Sequence, residues 1–223
     1  MIGTVPPTYS VVVVGRQWLN EDVFVLICSR PAGFSFLAGQ YVTLSLAEGE
    51  REYTLLSPPT APELRFLVKR LKGGRVSGAL AELAPGTPLG MGRAMGYLTY
   101  RPTDRPVVFV ATGVGVAPFV AMVAAGVTGF TLLHGVRTVS ALFFRQELSV
   151  AAHRYIPCLS GKAEPGIALP ALHRGRVTDY VDRTFRPGLY DFYLCGARAM
   201  ITDMTLLLDE LCPEARVYSE AFG

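Results

Sequence analysis

The sequence predicts two successive domains, an antiparallel β-barrel over 1–102 and an α/β domain built on a parallel sheet over 103–223. Three observations carry that prediction. The first half holds short, closely spaced runs of β-branched, aromatic and aliphatic residues separated by turn residues. The second half alternates apolar strand-like runs with helical stretches, the pattern of a parallel sheet covered by helices on both faces. Between them, Pro102 to Pro106 interrupts both patterns.

In the first half the strand-like runs are Val11 to Val14, Val23 to Cys28, Tyr41 to Leu46, Arg51 to Leu56 and Leu64 to Lys69. Pro31-Ala32-Gly33 and Pro58-Pro59 supply turns between them. One helix is expected from about Ser77 to Leu83, stopped by Pro85-Gly86. In the second half, strands are expected at Val107 to Ala111, Phe130 to His134, Tyr155 to Leu159 and Phe192 to Cys195. The intervening helices run near Pro118 to Ala125, Phe143 to Ala152, Arg176 to Arg183 and Ala199 to Leu211, and a last strand spans Arg216 to Ser219. Val107 to Val136 contains no Asp, Glu, Lys or Arg, and its hydropathy is that of a membrane helix. Gly113, Gly115, Pro118, Gly126 and Gly129 instead cut it into strand, loop, helix and strand, and a buried parallel strand is apolar on both faces.

Composition narrows the function. Half of the 223 residues are apolar, enough for a substantial core, and a net charge of +3 is too small to imply a nucleic-acid partner. Up to Pro102 there are ten Arg and Lys against seven Asp and Glu; from Thr103 there are eleven of each. Five of the early cations are Arg65, Lys69, Arg70, Lys72 and Arg75, which read either as a solvated strand edge or as a docking face for an acidic protein. The four cysteines, Cys28, Cys158, Cys195 and Cys212, form no C-x-x-C pair, which argues against a metal or iron–sulfur centre and suits a reducing compartment. No basic-then-apolar leader opens the chain, so a cytoplasmic protein is expected.

Two stretches read as phosphate-binding sites. Thr112-Gly113-Val114-Gly115 follows a strand, and Pro118 stands in the first turn of the helix beyond. Backbone amides at that helix start favour a diphosphate, and the glycines let the chain turn and approach it. A lone G-x-G also serves merely to pack helix on strand, and Pro118 occupies the place of the third glycine of the G-x-G-x-x-G fingerprint. The next strand ends in His134-Gly135-Val136-Arg137, with no acid for a ribose diol. Arg137 is the candidate for a 2′-phosphate, with Arg145 one or two turns into the following helix and Lys162 after the third strand. In the first half, Arg51 and Tyr53 share a strand face, where a guanidinium and an aromatic ring suit a flat ring with a phosphate tail. Gly73-Gly74 leads into Val76 and Ser77, and Ser77 is expected to cap the helix that receives the same phosphate.

Taken together, Gly39-Gln40-Tyr41, Arg51-x-Tyr53-Thr54, Gly73-Gly74-x-Val76-Ser77, Thr112-Gly113-x-Gly115-x-Ala117-Pro118, His134-Gly135-x-Arg137 and Leu194-Cys195-Gly196 resemble the ferredoxin–NADP(+) reductase family over nearly its whole two-domain length. The ending Glu220-Ala221-Phe222 is similar to its bacterial branch. The resemblance implies a barrel that binds FAD and a second domain that binds NADP(H), with NAD(H) as the alternative coenzyme. It implies FAD contacts for Arg51, Tyr53, Thr54, Lys69, Gly74, Val76 and Ser77, with Thr54 near flavin N5. Nucleotide contacts are implied for Thr112, Gly113, Gly115, Pro118, Arg137, Arg145, Lys162, Cys195 and Gly196. Cys195 stands near the nicotinamide, Phe222 covers a flavin face, and Glu220 supplies protons or is a solvated terminal acid.

The implied chemistry is hydride transfer between NADPH and FAD, and single-electron exchange with ferredoxin or flavodoxin, an acidic carrier, by a monomer with no membrane partner. A flavin reductase or the reductase component of an oxygenase is the alternative, and a non-catalytic nucleotide-binding module is an alternative of another class. Three departures from the family pattern bear on this. Gly161 follows Ser160 where NADP-using relatives commonly carry arginine, and Gly92-Arg93-Ala94-Met95-Gly96 replaces a G-P-F-G segment. Little chain follows Phe222 to hold an adenine, which leaves FMN as the alternative flavin.

Overall fold

On strand β1 (Tyr9–Trp18), Val11 and Val13 are buried while Val12 and Val14 are exposed, the period of two that places one face of a strand on a core. The same economy builds β2 (Val23–Ser29), β3 (Tyr41–Leu46), β4 (Gly49–Thr54), β5 (Glu63–Lys69) and β6 (Pro88–Met91). These pair antiparallel in the order β4-β3-β6-β1-β2-β5. A bridge between Leu55 and Phe66 brings the two ends of that order together, so the sheet is a nearly closed barrel. Its interior is filled by Val11, Phe24, Leu26, Val42, Leu44, Leu64, Phe66 and Met91, and helix α1 (Arg75–Glu82) adds Val76 and Leu80.

The computed structural model describes residues 9–162 and 169–222, Phe222 by its backbone alone, and the chain divides into two units, Met1–Thr99 and Tyr100–Gly223. The second unit is a parallel sheet in the order β10-β9-β8-β7-β11-β12. Its strands are β7 (Val107–Thr112), β8 (Thr131–Val136), β9 (Arg154–Leu159), β10 (His173–Arg174), β11 (Asp191–Ala197) and β12 (Arg216–Phe222). Helices α4 (Val177–Thr184) and α5 (Arg198–Leu211) cover one face, packing Val181, Met204 and Leu208 against Val110, Leu133 and Phe192. On the other face Phe119 of α2 (Ala117–Ala124) stacks on Phe109 at 4.5 Å, beside Phe130 and Tyr193. Helix α3 (Arg145–Ala151) joins that layer through buried Leu148.

Two strands escape the sequence pattern. Pro88–Met91 contains Pro and Gly and is not among the strands expected from the sequence, yet it pairs with both β1 and β3. His173–Arg174 is too short to show any periodicity. The uncharged run from Val107 to Val136 resolves into β7, a 3-10 turn, α2 and β8, and among the described residues no helix is long and apolar enough to cross a membrane. That 3-10 turn, Gly113–Val116, stands where a loop was expected.

Candidate functional site

In the first unit, β4 carries Arg51 exposed, Tyr53 half-buried against the barrel core and Thr54 buried. Burial raises the Tyr53 hydroxyl to about 12, opposed by the nearby Arg51 guanidinium, which agrees with their sharing one strand face. Arg51 Nη1 donates to the Glu50 carbonyl at 2.7 Å, which leaves further guanidinium donors unengaged by that bond. Thr54 Oγ1 is enclosed and has no hydrogen-bond partner. A buried hydroxyl left in that state is costly unless a ligand satisfies it.

Ser77 is not the cap of α1. Gly74 occupies the N-cap, no side chain bonds the helix start, and Ser77 lies inside the first turn. There it is buried, and its Oγ accepts the Leu71 N–H at 3.1 Å, tying the glycine loop to the helix. Its own proton remains free to be donated. A Cβ on Gly74 would stand 2.6 Å from Ser77 Oγ, so the glycine keeps this corner open. Val76 is buried in the barrel core, and Lys69 is exposed at the end of β5. A free hydroxyl, a guanidinium, a partly exposed ring and an uncapped helix start suit a flavin with a diphosphate tail.

In the second unit the predicted residues gather at the carboxyl ends of the parallel strands, where such sheets bind ligands. Thr112 ends β7, and its Oγ1 accepts the Ala197 N–H at 3.0 Å. Gly113 turns the chain at φ 55°. Gly115 then lies directly on β11, where an ideal Cβ would come 2.6 Å from both the Cys195 carbonyl carbon and Gly196 Cα. Gly196 has φ 138°, and its Cβ would meet the Thr112 carbonyl oxygen at 2.8 Å. Backbone thus packs on backbone at Gly115, and at Gly196 a Cβ would also overlap the Thr112 hydroxyl that bridges β7 and β11. Helix α2 follows with Pro118 in its first turn, no side-chain cap and no acid, so its positive end is uncompensated.

Cys195 is wholly buried, and burial, with Glu220 adding to it, raises its thiol well above the ordinary range. It is held as a neutral thiol, not a reactive thiolate. Glu220 is half-buried and lies opposite Cys195 in the β11–β12 register. The backbone of Phe222 pairs with Ala197; its side chain, and Gly223, lie outside the described residues.

Arg137 follows β8 and is exposed, as is Lys162 after β9. Arg145 is the first residue of α3, not one or two turns inside it, because the helix starts only after Phe144 at φ 56°. Its charge lowers the affinity of the Tyr155 hydroxyl for its proton, although burial dominates and raises it. Tyr155 in turn bonds His134 Nδ1 at 2.9 Å, and burial lowers His134 to about 3, so its ring is neutral.

Two further cations were missed in the sequence. Arg174 ends β10 and Arg176 precedes α4, and both are exposed. The Gly175 N–H donates to the Leu159 carbonyl at 2.9 Å, and Val177 Cγ1 lies 2.9 Å from the place of a Cβ on Gly135. These contacts seat the start of α4 at the ends of β8 and β9, so Arg137, Lys162, Arg174 and Arg176 come from adjacent strand ends. The available signal was a glycine flanked by arginines just before a helix.

Residues 12–100 match the oxidoreductase FAD-binding domain family and residues 109–205 the oxidoreductase NAD-binding domain family. The toluate 1,2-dioxygenase electron transfer component of Pseudomonas putida is 32% identical over 209 residues, 86% of this chain and 61% of that protein. The anthranilate 1,2-dioxygenase electron transfer component of Acinetobacter baylyi is 28% identical over 232 residues, 96% of this chain and 66% of that one. The chain therefore spans about three fifths to two thirds of the length of these relatives. A ferredoxin NADP+ reductase from Neisseria gonorrhoeae, solved with bound FAD and NADP, superimposes with a TM-score of 0.80 at 21% identity, covering 95% of this chain and 98% of that one. A cytochrome P450 reductase from Amycolatopsis gives 0.82 at 24% identity, covering 99% of this chain and 72% of that one. At these identities the structural likeness carries the fold.

Proposed function

This chain belongs to the ferredoxin–NADP(+) reductase family of FAD- and NAD(P)-binding oxidoreductases, and from that membership we propose that it moves electrons between NADPH and a one-electron carrier protein. Residues 1–102 form the FAD-binding domain and 103–223 the NADP(H)-binding domain in this reading. The observation that carries it is Thr54, whose enclosed hydroxyl has no protein partner on the strand that also bears Arg51 and Tyr53.

Bound FAD and NADPH supply the hydride exchange and the stepwise release of electrons. The chain's part is to bind, orient and shield. Tyr53 packs against the flavin, Thr54 Oγ1 donates to or accepts from its polar edge, and Arg51 neutralises the diphosphate. Gly74, Val76, Ser77 and Lys69 line the path of the phosphate tail. In the second unit, Thr112, Gly113 and Gly115 open onto the uncompensated end of α2, with Pro118 in its first turn. Arg137 with Lys162, Arg174 and Arg176 binds the 2′-phosphate, and Arg145 adds positive charge at the start of α3. Cys195 and Gly196 form the floor under the nicotinamide, and Glu220 stands opposite Cys195 on β12.

The carrier is an acidic ferredoxin or flavodoxin. Arg65, Lys69, Lys72 and Arg75 are exposed on the first unit and supply complementary charge. The electron-transfer components of dioxygenases among the relatives favour a second reading, in which the chain serves as the reductase of an oxygenase system. The four described cysteines are free and buried, in keeping with a reducing cytoplasm.

The purified protein is expected to be yellow, and NADPH is expected to bleach it without a partner. Ferredoxin, flavodoxin and free flavin, each tried as acceptor, separate the readings. A colourless protein that gains no flavin spectrum on titration with FAD would refute all of them.

A further inference from the structure

We propose that Gly161 sets coenzyme specificity by letting the end of β9 close on the backbone of Arg137, so that Arg137 is aimed at a 2′-phosphate. The inference rests on the NADPH reading above and deepens it. An ideal Cβ on Gly161 would overlap the Arg137 carbonyl oxygen, and would lie 3.0 Å from its carbonyl carbon and 3.4 Å from its Cα. Gly161 is not among the described glycines with positive φ. Its backbone conformation is therefore open to any residue, and space alone demands glycine here.

The β8–β9 ladder has its last pair at Val136 and Leu159. Beyond it the two chains stay together. The Val136 carbonyl accepts both the Ser160 N–H at 3.0 Å and the Ser160 hydroxyl at 3.3 Å, and Gly161 then presses on Arg137. The root of the Arg137 side chain is thereby fixed just past the strand end. Lys162 leaves from the next residue, and the Gly175–Leu159 bond holds Arg174 and Arg176 on the far side. Asp179, whose carboxylate accepts the Arg176 N–H at 2.8 Å, offsets part of the charge gathered there, and the four cations keep a positive surplus that a further anion relieves. A phosphate monoester on a ribose is compact, doubly charged and able to accept a bidentate guanidinium. Gly161 touches no ligand in this account; it is a positioning residue. A side chain there would part the strand ends and turn Arg137 away, and the site would lose its preference for the phosphorylated coenzyme while still holding the common adenosine diphosphate portion.

The test is calorimetric titration of the flavin-loaded protein with adenosine 2′,5′-bisphosphate and with 5′-AMP. Gly161→Ala is expected to weaken the bisphosphate about tenfold and 5′-AMP less than twofold. KM for NADPH should rise in step, with kcat and the NADH parameters held. Arg137→Ala should weaken the bisphosphate at least as much, and adding Gly161→Ala to it should cost nothing more. Equal weakening of both ligands by Gly161→Ala, or a full additional loss in the Arg137→Ala background, would overturn the proposal. Should Gly161→Ala fail to fold, Ser160→Ala loosens the same crossing and is expected to lower the preference two- to threefold; an unchanged preference overturns the idea. Wild-type protein that binds both ligands equally removes the 2′-phosphate site and this proposal with it. Wild-type protein that binds neither removes the nucleotide reading itself.

Discussion

Replacing Gly115 by alanine tests the packing on which the second half-site depends. The new methyl would stand 2.6 Å from the Cys195 carbonyl carbon and from Gly196 Cα, and both are backbone atoms that have no rotamer to escape into. Carbon atoms in contact sit about 3.5–4.0 Å apart, so the 3-10 turn and the end of β11 must separate by about 1 Å. Forcing extra volume into such packing costs about 1–3 kcal/mol. A loss near 2 kcal/mol lowers the midpoint of this unit's thermal transition on the order of 8 °C. The same shift displaces the nucleotide cradle, and about 1 Å of misplacement costs on the order of 100-fold in hydride transfer. Thermal unfolding and stopped-flow reduction of the flavin by NADPH are the assays. Gly113 provides the contrast, because it has open space but φ 55°. Asparagine tolerates that conformation, so Gly113→Asn is expected to be mild and Gly115→Asn severe. A Gly115→Ala protein with wild-type melting and wild-type reduction rates would show that the backbone contact is not tight, and the argument for the cradle would fail.

Two other substitutions probe the buried polar groups. Thr54→Val removes a hydroxyl that has no protein partner, so the flavin-free protein should keep or gain stability, while FAD affinity falls five- to tenfold for a hydrogen bond of about 1 kcal/mol. A destabilised apoprotein with unchanged FAD affinity would contradict that role. His134 titrates near 3 when folded because it is buried, below its value near 6.5 when unfolded. Between those values the unfolded chain takes up the extra proton, so stability is whole above about pH 6.5 and drains as pH falls toward 3. The loss reaches about 2 kcal/mol at pH 5. Denaturant unfolding of wild type and His134→Gln across pH 5 to 7.5 should show a flatter profile for the variant; parallel profiles would rule out His134 as the source.

The barrel core was readable because alternation on β1 and β3 marks one face of each strand, and Val107 to Val136 was readable because glycines and a proline punctuate it. The chemistry of the site was partly readable for the same local reason: Arg51, Tyr53 and Thr54 lie on one strand, and Gly113 and Gly115 on one turn. The cap on α1 was misplaced because Ser77 has the chemistry of a cap, while its hydroxyl is drawn to the Leu71 amide of the preceding loop. Arg174 and Arg176 went unnoticed because a strand of two residues carries no period.

By itself the sequence determined which segments become strands or helices, and in what order, since apolar spacing and turn chemistry act over a few neighbouring residues. Only the tertiary structure decided that Gly115 rests on Cys195, that Gly161 rests on Arg137, and that the cations of β8, β9 and β10 share one edge. Each of those meetings joins segments far apart along the chain, and they follow from the order in which crossover connections lay the strands side by side. Adjacent residues carry no record of that order, so neither the space a glycine must leave nor the company an arginine keeps can be read from its neighbours.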